Sequence, residues 1–143
     1  MGAIIGVAGS TALISSVFAA EELRGATTAQ SIMYAGPGDA YPRGLRLTAG
    51  LQIGIQGCTD GATWCDVEWR GKRGWVLAAA LELEENGDRI PVSALTVPST
   101  TFELASYWAA NYKTRLWYGD RAKWKNIGGR AAQSAQAGAS GAQ

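Results

Sequence analysis

The chain has 143 residues with 19 Gly, 6 Trp, 2 Cys and no His, and its 13 Lys+Arg against 12 Asp+Glu leave a net charge of +1. Without imidazole there is no Ser-His-Asp triad, Cys-His dyad or His-ligated zinc, and two cysteines alone do not complete a four-ligand zinc site. A net charge this small gives no global field toward nucleic acid, and the length fits one domain, expected from its Gly and Trp content to be a turn-rich β fold packed around aromatics.

Gly2 to Ala20 contain no charged side chain and end in Ser15-Ser16-Val17-Phe18-Ala19-Ala20, before Glu21-Glu22. Small residues at alternate positions after an apolar run fit a signal peptide at 1–20, and hence a periplasmic or secreted protein. No basic residue precedes the run, and a membrane anchor is the alternative, although its glycines and serines make it weakly hydrophobic for a span. Residues 21–25 read as a polar lead-in.

A β region follows. Gln30 to Tyr34 reads as a strand, stopped by Ala35-Gly36-Pro37-Gly38-Asp39, and Tyr41-Pro42 closes that loop. Leu45-Arg46-Leu47 and Leu51-Gln52-Ile53-Gly54-Ile55-Gln56 alternate at period two around a Thr48-Ala49-Gly50 turn. Thr63 to Trp69 alternates likewise, with Cys65, Val67 and Trp69 on one face and Trp64, Asp66 and Glu68 on the other. Gly71-Lys72-Arg73-Gly74 reads as a hairpin turn into Trp75-Val76-Leu77. Thr59-Asp60-Gly61 is a turn signal that would place Cys58 opposite Cys65. An exported chain would join them in a disulfide, and a cytosolic one would keep two buried thiols. The charged residues Asp66, Glu68, Lys72 and Arg73 are expected to form a solvated cross-strand set.

The string Ala35-Gly36-Pro37-Gly38-Asp39-Ala40-Tyr41-Pro42 resembles the GPG-x-x-YP loop of bacterial SH3 (SH3b, type 3) domains. Thr48-Ala49-Gly50, Gly57-Cys58, Trp64-Cys65-Asp66-Val67 and Gly71-Lys72-Arg73-Gly74-Trp75-Val76 follow in the family's order, the last similar to its closing G-x-R-GWV. Where the family has Asn-Val-Arg before the loop, this chain has Ile32-Met33-Tyr34. The resemblance implies an all-β fold with a small SH3-like barrel of about five strands at 26–83, followed by a C-terminal aromatic α-helix. Trp69 and Trp75 would lie in the barrel core. Tyr34, Tyr41 and Trp64 border the loops, where they would form an aromatic groove for an extended peptide.

Residues 84–127 read as a C-terminal extension. Thr100 and Glu103 have capping-box spacing, and Leu104, Trp108 and Tyr112 share one face of a helix expected at about 101–113. Tyr107 to Tyr118 is similar to the YW-x-x-x-Y-x-x-R-P-WY tail of small secreted SH3b proteins of Gram-negative bacteria, with Leu116 in place of the proline. Lys113, Arg115, Trp117, Tyr118, Arg121, Lys123 and Trp124 interleave cations with aromatics, a pattern suited to an anionic membrane surface. Nucleic acid is set aside as a partner because an exported protein rarely meets it. In the alternative, the aromatics dock on the barrel, the cations face solvent, and the acidic 82–88 stretch supplies counter-charge. Residues 128–143, almost entirely Ala, Gly, Ser and Gln, read as a disordered tail.

No phosphate loop, catalytic constellation, metal set or cofactor box is legible, so no cofactor and no enzymatic activity are expected. Two functions remain. One is an exported binding module for cell-wall (peptidoglycan) peptide or another envelope ligand. The other is a structural or assembly protein of the envelope, acting through the basic-aromatic segment on a protein partner or the membrane.

Overall fold

The computed structural model describes residues 2–6, 8–9 and 22–127. The end of the expected signal peptide and the 128–143 tail lie outside the described residues. Among the described residues, no helix is long and apolar enough to cross a membrane.

The described residues are mostly β. Among them, eight antiparallel strands form one sheet: β1 (Leu23–Thr27), β2 (Ser31–Tyr34), β3 (Arg43–Leu47), β4 (Gln52–Cys58), β5 (Trp64–Trp69), β6 (Lys72–Leu77), β7 (Leu81–Glu85) and β8 (Asp88–Pro91). Their order is β3-β2-β6-β5-β4-β1-β7-β8, so β3 and β8 are the edges. Two short helices follow, α1 (Leu104–Asn111) and a succession of 3-10 turns over Leu116–Trp124.

Eight strands stand where about five were expected, because three lack a readable pattern. β1 falls partly in the supposed lead-in, yet it pairs with β4 on one side and β7 on the other. Its Gly25 sits opposite Ile53 and Leu83, where an added Cβ would lie 2.5 Å from the Glu82 carbonyl oxygen. A central strand squeezed this tightly needs glycine, which removes the apolar alternation that would betray it. The polar end of β1 is used as well: the buried Thr27 hydroxyl donates to the Thr48 carbonyl at 2.7 Å and accepts from the Leu51 N–H at 3.0 Å. The acidic stretch after residue 80 is the β7–β8 hairpin, closed by Asn86-Gly87 with φ of 52° and 83°. Both central residues at positive φ make the turn that suits the right-handed twist of a two-residue hairpin. Arg70-Gly71, at 50° and 76°, does the same between β5 and β6, so the turn lies two residues before the expected one and Lys72 and Arg73 belong to the strand.

Cys58 and Cys65 lie directly opposite each other across β4 and β5 and are disulfide-bonded, with Cα atoms 4.0 Å apart. They belong to the main core, with Ile53, Ile55, Val67, Val76, Leu81 and Leu83.

The helix is shorter than expected. The Cys58 N–H donates to Pro98 O at 3.1 Å and the Thr100 N–H to Cys58 O at 2.7 Å, which holds residues 98–100 extended beside β4. The helix begins only at Leu104, so Thr100 does not cap it. Glu103 takes the N-cap position without a side-chain bond, and the helix ends as the Tyr112 N–H reaches Trp108 O. Among the described residues the ion pairs are Arg73–Asp66 and Lys123–Asp120, so no direct ion pair joins the acidic 82–88 stretch to the basic segment.

Candidate functional site

Residues directly opposite in an antiparallel sheet share a face. The pairs Tyr34–Trp75, Trp75–Asp66, Trp64–Leu77 and Arg73–Glu68 therefore put Tyr34, Trp64, Asp66, Arg73, Trp75 and Leu77 on one face of β2, β6 and β5. It is the face opposite Val67 and Val76, and it carries a second, aromatic core supplied largely by the C-terminal extension.

The extension is fastened to this face by hydrogen bonds as well as rings. The Trp108 indole N–H donates to Ala35 O at 2.8 Å, and its side chain is 0% exposed. The Tyr107 hydroxyl donates to Asp66 Oδ1 at 2.7 Å, and the Tyr112 hydroxyl to Arg73 O at 2.8 Å. The Trp124 indole N–H reaches Ala40 O at 3.2 Å. Phe102 stands edge-on to Trp75 and to Tyr41, with ring centroids 5.6 and 5.4 Å apart. Such pairs add about 0.5–1.5 kcal/mol each beyond area burial. Trp75 is left 1% exposed, and its indole N–H is buried without a partner.

Asp66 is buried, contrary to the solvated set expected for it. Arg73 donates to it twice, Nε to Oδ1 at 3.0 Å and Nη2 to Oδ2, while Tyr107 adds a third bond. The bond to Asp66 pushes the Arg73 pKa up, which holds the guanidinium charged. Burial pushes the Tyr107 hydroxyl well above the ordinary phenol value and Tyr112 up to about 12. With its lone pairs engaged by three donors, Asp66 fastens the extension to the sheet.

The three expected groove residues do not stay together. Tyr41 is 3% exposed, covered by Phe102 in the aromatic core, and its burial raises its pKa. It is removed from any groove. Tyr34 and Trp64 remain half-buried at the surface, edge to face at 5.7 Å. Leu77, opposite Trp64 and 47% exposed, joins them. The apolar reading of Trp75-Val76-Leu77 hid it, although strand alternation places it on the Trp75 side. Tyr34, Trp64 and Leu77 form the part of the outer face that is left partly open. Trp69, expected in the core, is half-buried under Arg70, whose guanidinium lies 4.7 Å from its ring.

The second candidate set divides. Trp117, Tyr118 and Trp124 are half-buried in the aromatic core, with Trp117 edge-on to Trp108 at 4.7 Å. Lys113, Arg115, Arg121 and Lys123 are exposed. The two sets meet at a crevice lined by Tyr34, Arg43, Lys72, Tyr112, Arg115 and Trp117. Its volume of about 20 Å³ admits a water molecule and falls far below the roughly 300–1,000 Å³ of a small-molecule site. Among the described residues, no group of three or more Cys, Asp or Glu is placed to hold a metal ion.

Compared with protein-family models, curated proteins and solved structures, the chain matches none of them.

Proposed function

We propose that the chain is an exported, non-catalytic binding module built on an SH3b-like barrel, which takes an extended cell-wall peptide across Tyr34, Trp64 and Leu77. The observation that carries this reading is the contrast on one sheet face. Trp75 and Tyr41 are sealed under the chain's own extension, while Tyr34, Trp64 and Leu77 remain accessible beside it. Extended peptides bind such aromatic strips because flat rings accept a backbone of fixed shape at low entropic cost. The ordered SH3b motifs from Ala35 to Val76 support the barrel, and the Cys58–Cys65 bond supports an oxidising compartment.

The test is co-sedimentation of the oxidised protein with purified peptidoglycan sacculi. The wild type is expected in the pellet, with Tyr34→Ala/Trp64→Ala lowering retention about tenfold, as for loss of an aromatic anchor worth roughly 1–2 kcal/mol. Near-UV circular dichroism checks that the variant keeps its aromatic core. A wild type that stays in the supernatant refutes the reading.

A further inference from the structure

The 3-10 turns over Leu116–Trp124 have an outward side that neither the fold nor the proposed peptide strip uses. In a 3-10 helix, residues three apart eclipse each other. One row is Leu116, Gly119, Ala122 and Lys125, and all four are exposed, Leu116 fully so. Arg115 and Arg121 flank this row on one side and Lys123 on the other, with Lys113 just before it, all of them exposed. Five of the 13 Lys+Arg but only one of the 12 Asp+Glu fall between residues 113 and 125, which leaves eight cations and eleven acids elsewhere. The near-zero net charge thus conceals a segregated one. That single acid, Asp120, lies 3.8 Å from Lys123 and offsets one cation at most.

We propose that this ridge docks the protein on an anionic lipid bilayer, with Leu116 entering the headgroup–acyl boundary and the cations meeting the headgroups. Two observations favour lipid over nucleic acid. Trp117 and Trp124, the rings that would stack on bases, are turned into the aromatic core against Trp108. The fully exposed Leu116 is instead aliphatic, which gains from an acyl environment and gains nothing from a phosphate backbone. Tyr118 suits the same boundary, half-buried with the Arg121 guanidinium 4.6 Å from its ring. The inward side is anchored by Trp117 and Trp124, so the ridge is preorganised and little ordering is needed on binding.

The experiment is vesicle flotation of the oxidised full chain on phosphatidylcholine alone and on phosphatidylcholine mixed with phosphatidylglycerol. Binding is expected only on the anionic vesicles and is expected to fall as salt rises. Leu116→Ser should weaken it about tenfold, and Arg121→Gln and Lys125→Gln about fivefold each, in line with the attraction of single basic residues to such surfaces. All three side chains are exposed and none of them lines the crevice beside Tyr34, so sacculus binding by these variants is expected to stay at the wild-type level. Equal binding to both vesicle types, no effect of Leu116→Ser, or capture by a single-stranded DNA oligonucleotide in place of vesicles would each overturn the proposal.

Discussion

Tyr107 joins three kinds of contact in one side chain. Its ring packs against Trp75, Phe102 and Tyr112, its hydroxyl donates to Asp66, and Arg73 lies over its face at 5.6 Å. Tyr107→Phe keeps the ring and removes a bond to a carboxylate, so it should cost about 1.5–3 kcal/mol in urea unfolding. Alkaline pH tests the same cluster. Burial holds Tyr112 near 12 in the folded chain against 10.0 for a free phenol, so the unfolded state loses its proton first. Stability is therefore complete below pH 10 and falls as pH rises toward 12, by about 1.4 kcal/mol per pH unit for this residue. Tyr107, raised in the same direction, adds to the slope. Urea midpoints at pH 9, 10.5 and 11.5 should show the decline, with a shallower slope in Tyr112→Phe. None of this was legible around Asp66, because its partner hydroxyl lies 41 residues away.

Among the elements, the β4–β5 hairpin was the most legible. Alternation on both strands and a Thr59-Asp60-Gly61 turn were enough to set Cys58 opposite Cys65. The bond closes a short loop, with a sequence separation of 7. Loop-closure entropy for that length gives about 2–3 kcal/mol, so Cys58→Ser/Cys65→Ser should unfold at lower urea by that amount and still fold. β1 was hidden for a different reason. Leu23-Arg24-Gly25-Ala26-Thr27 has one large apolar side chain, and its place between β4 and β7 comes from backbone pairing and from the close approach at Gly25. β7 and β8 had a readable Asn86-Gly87 turn, but Glu82, Glu84 and Glu85 masked the alternation of Leu81 and Leu83, which point into the core.

For the whole molecule, the decisive feature is that the extension belongs to the fold. Trp108, with no exposed surface, joins Ala35 across 73 residues of sequence, and Trp124 joins Ala40 across 84. Trp108→Ala should cost about 3–5 kcal/mol, because it empties the centre of the aromatic core and leaves the Ala35 carbonyl without its donor. It should also expose Trp75 and Tyr41, seen as a red-shifted tryptophan emission and as binding of a hydrophobic dye. A C-terminal segment independent of the sheet would show neither change. The basic-aromatic pattern at 113–125 was visible in the chain, but its division into an inward aromatic side and an outward cationic side depends on that docking.

The sequence by itself determined the features that depend on near neighbours. These are the β class, from alternation at period two, the hairpin turns, from residues able to take positive φ, and the placement of Cys58 opposite Cys65, from the register such a turn imposes. Only the tertiary structure decided which aromatic rings are free. Tyr34, Tyr41 and Trp64 look alike in the chain, yet Tyr41 is sealed by Phe102 from a segment some sixty residues later, while Tyr34 and Trp64 keep part of their surface. Burial is a sum over contacts, and here most of the contacts that seal a ring come from far along the chain.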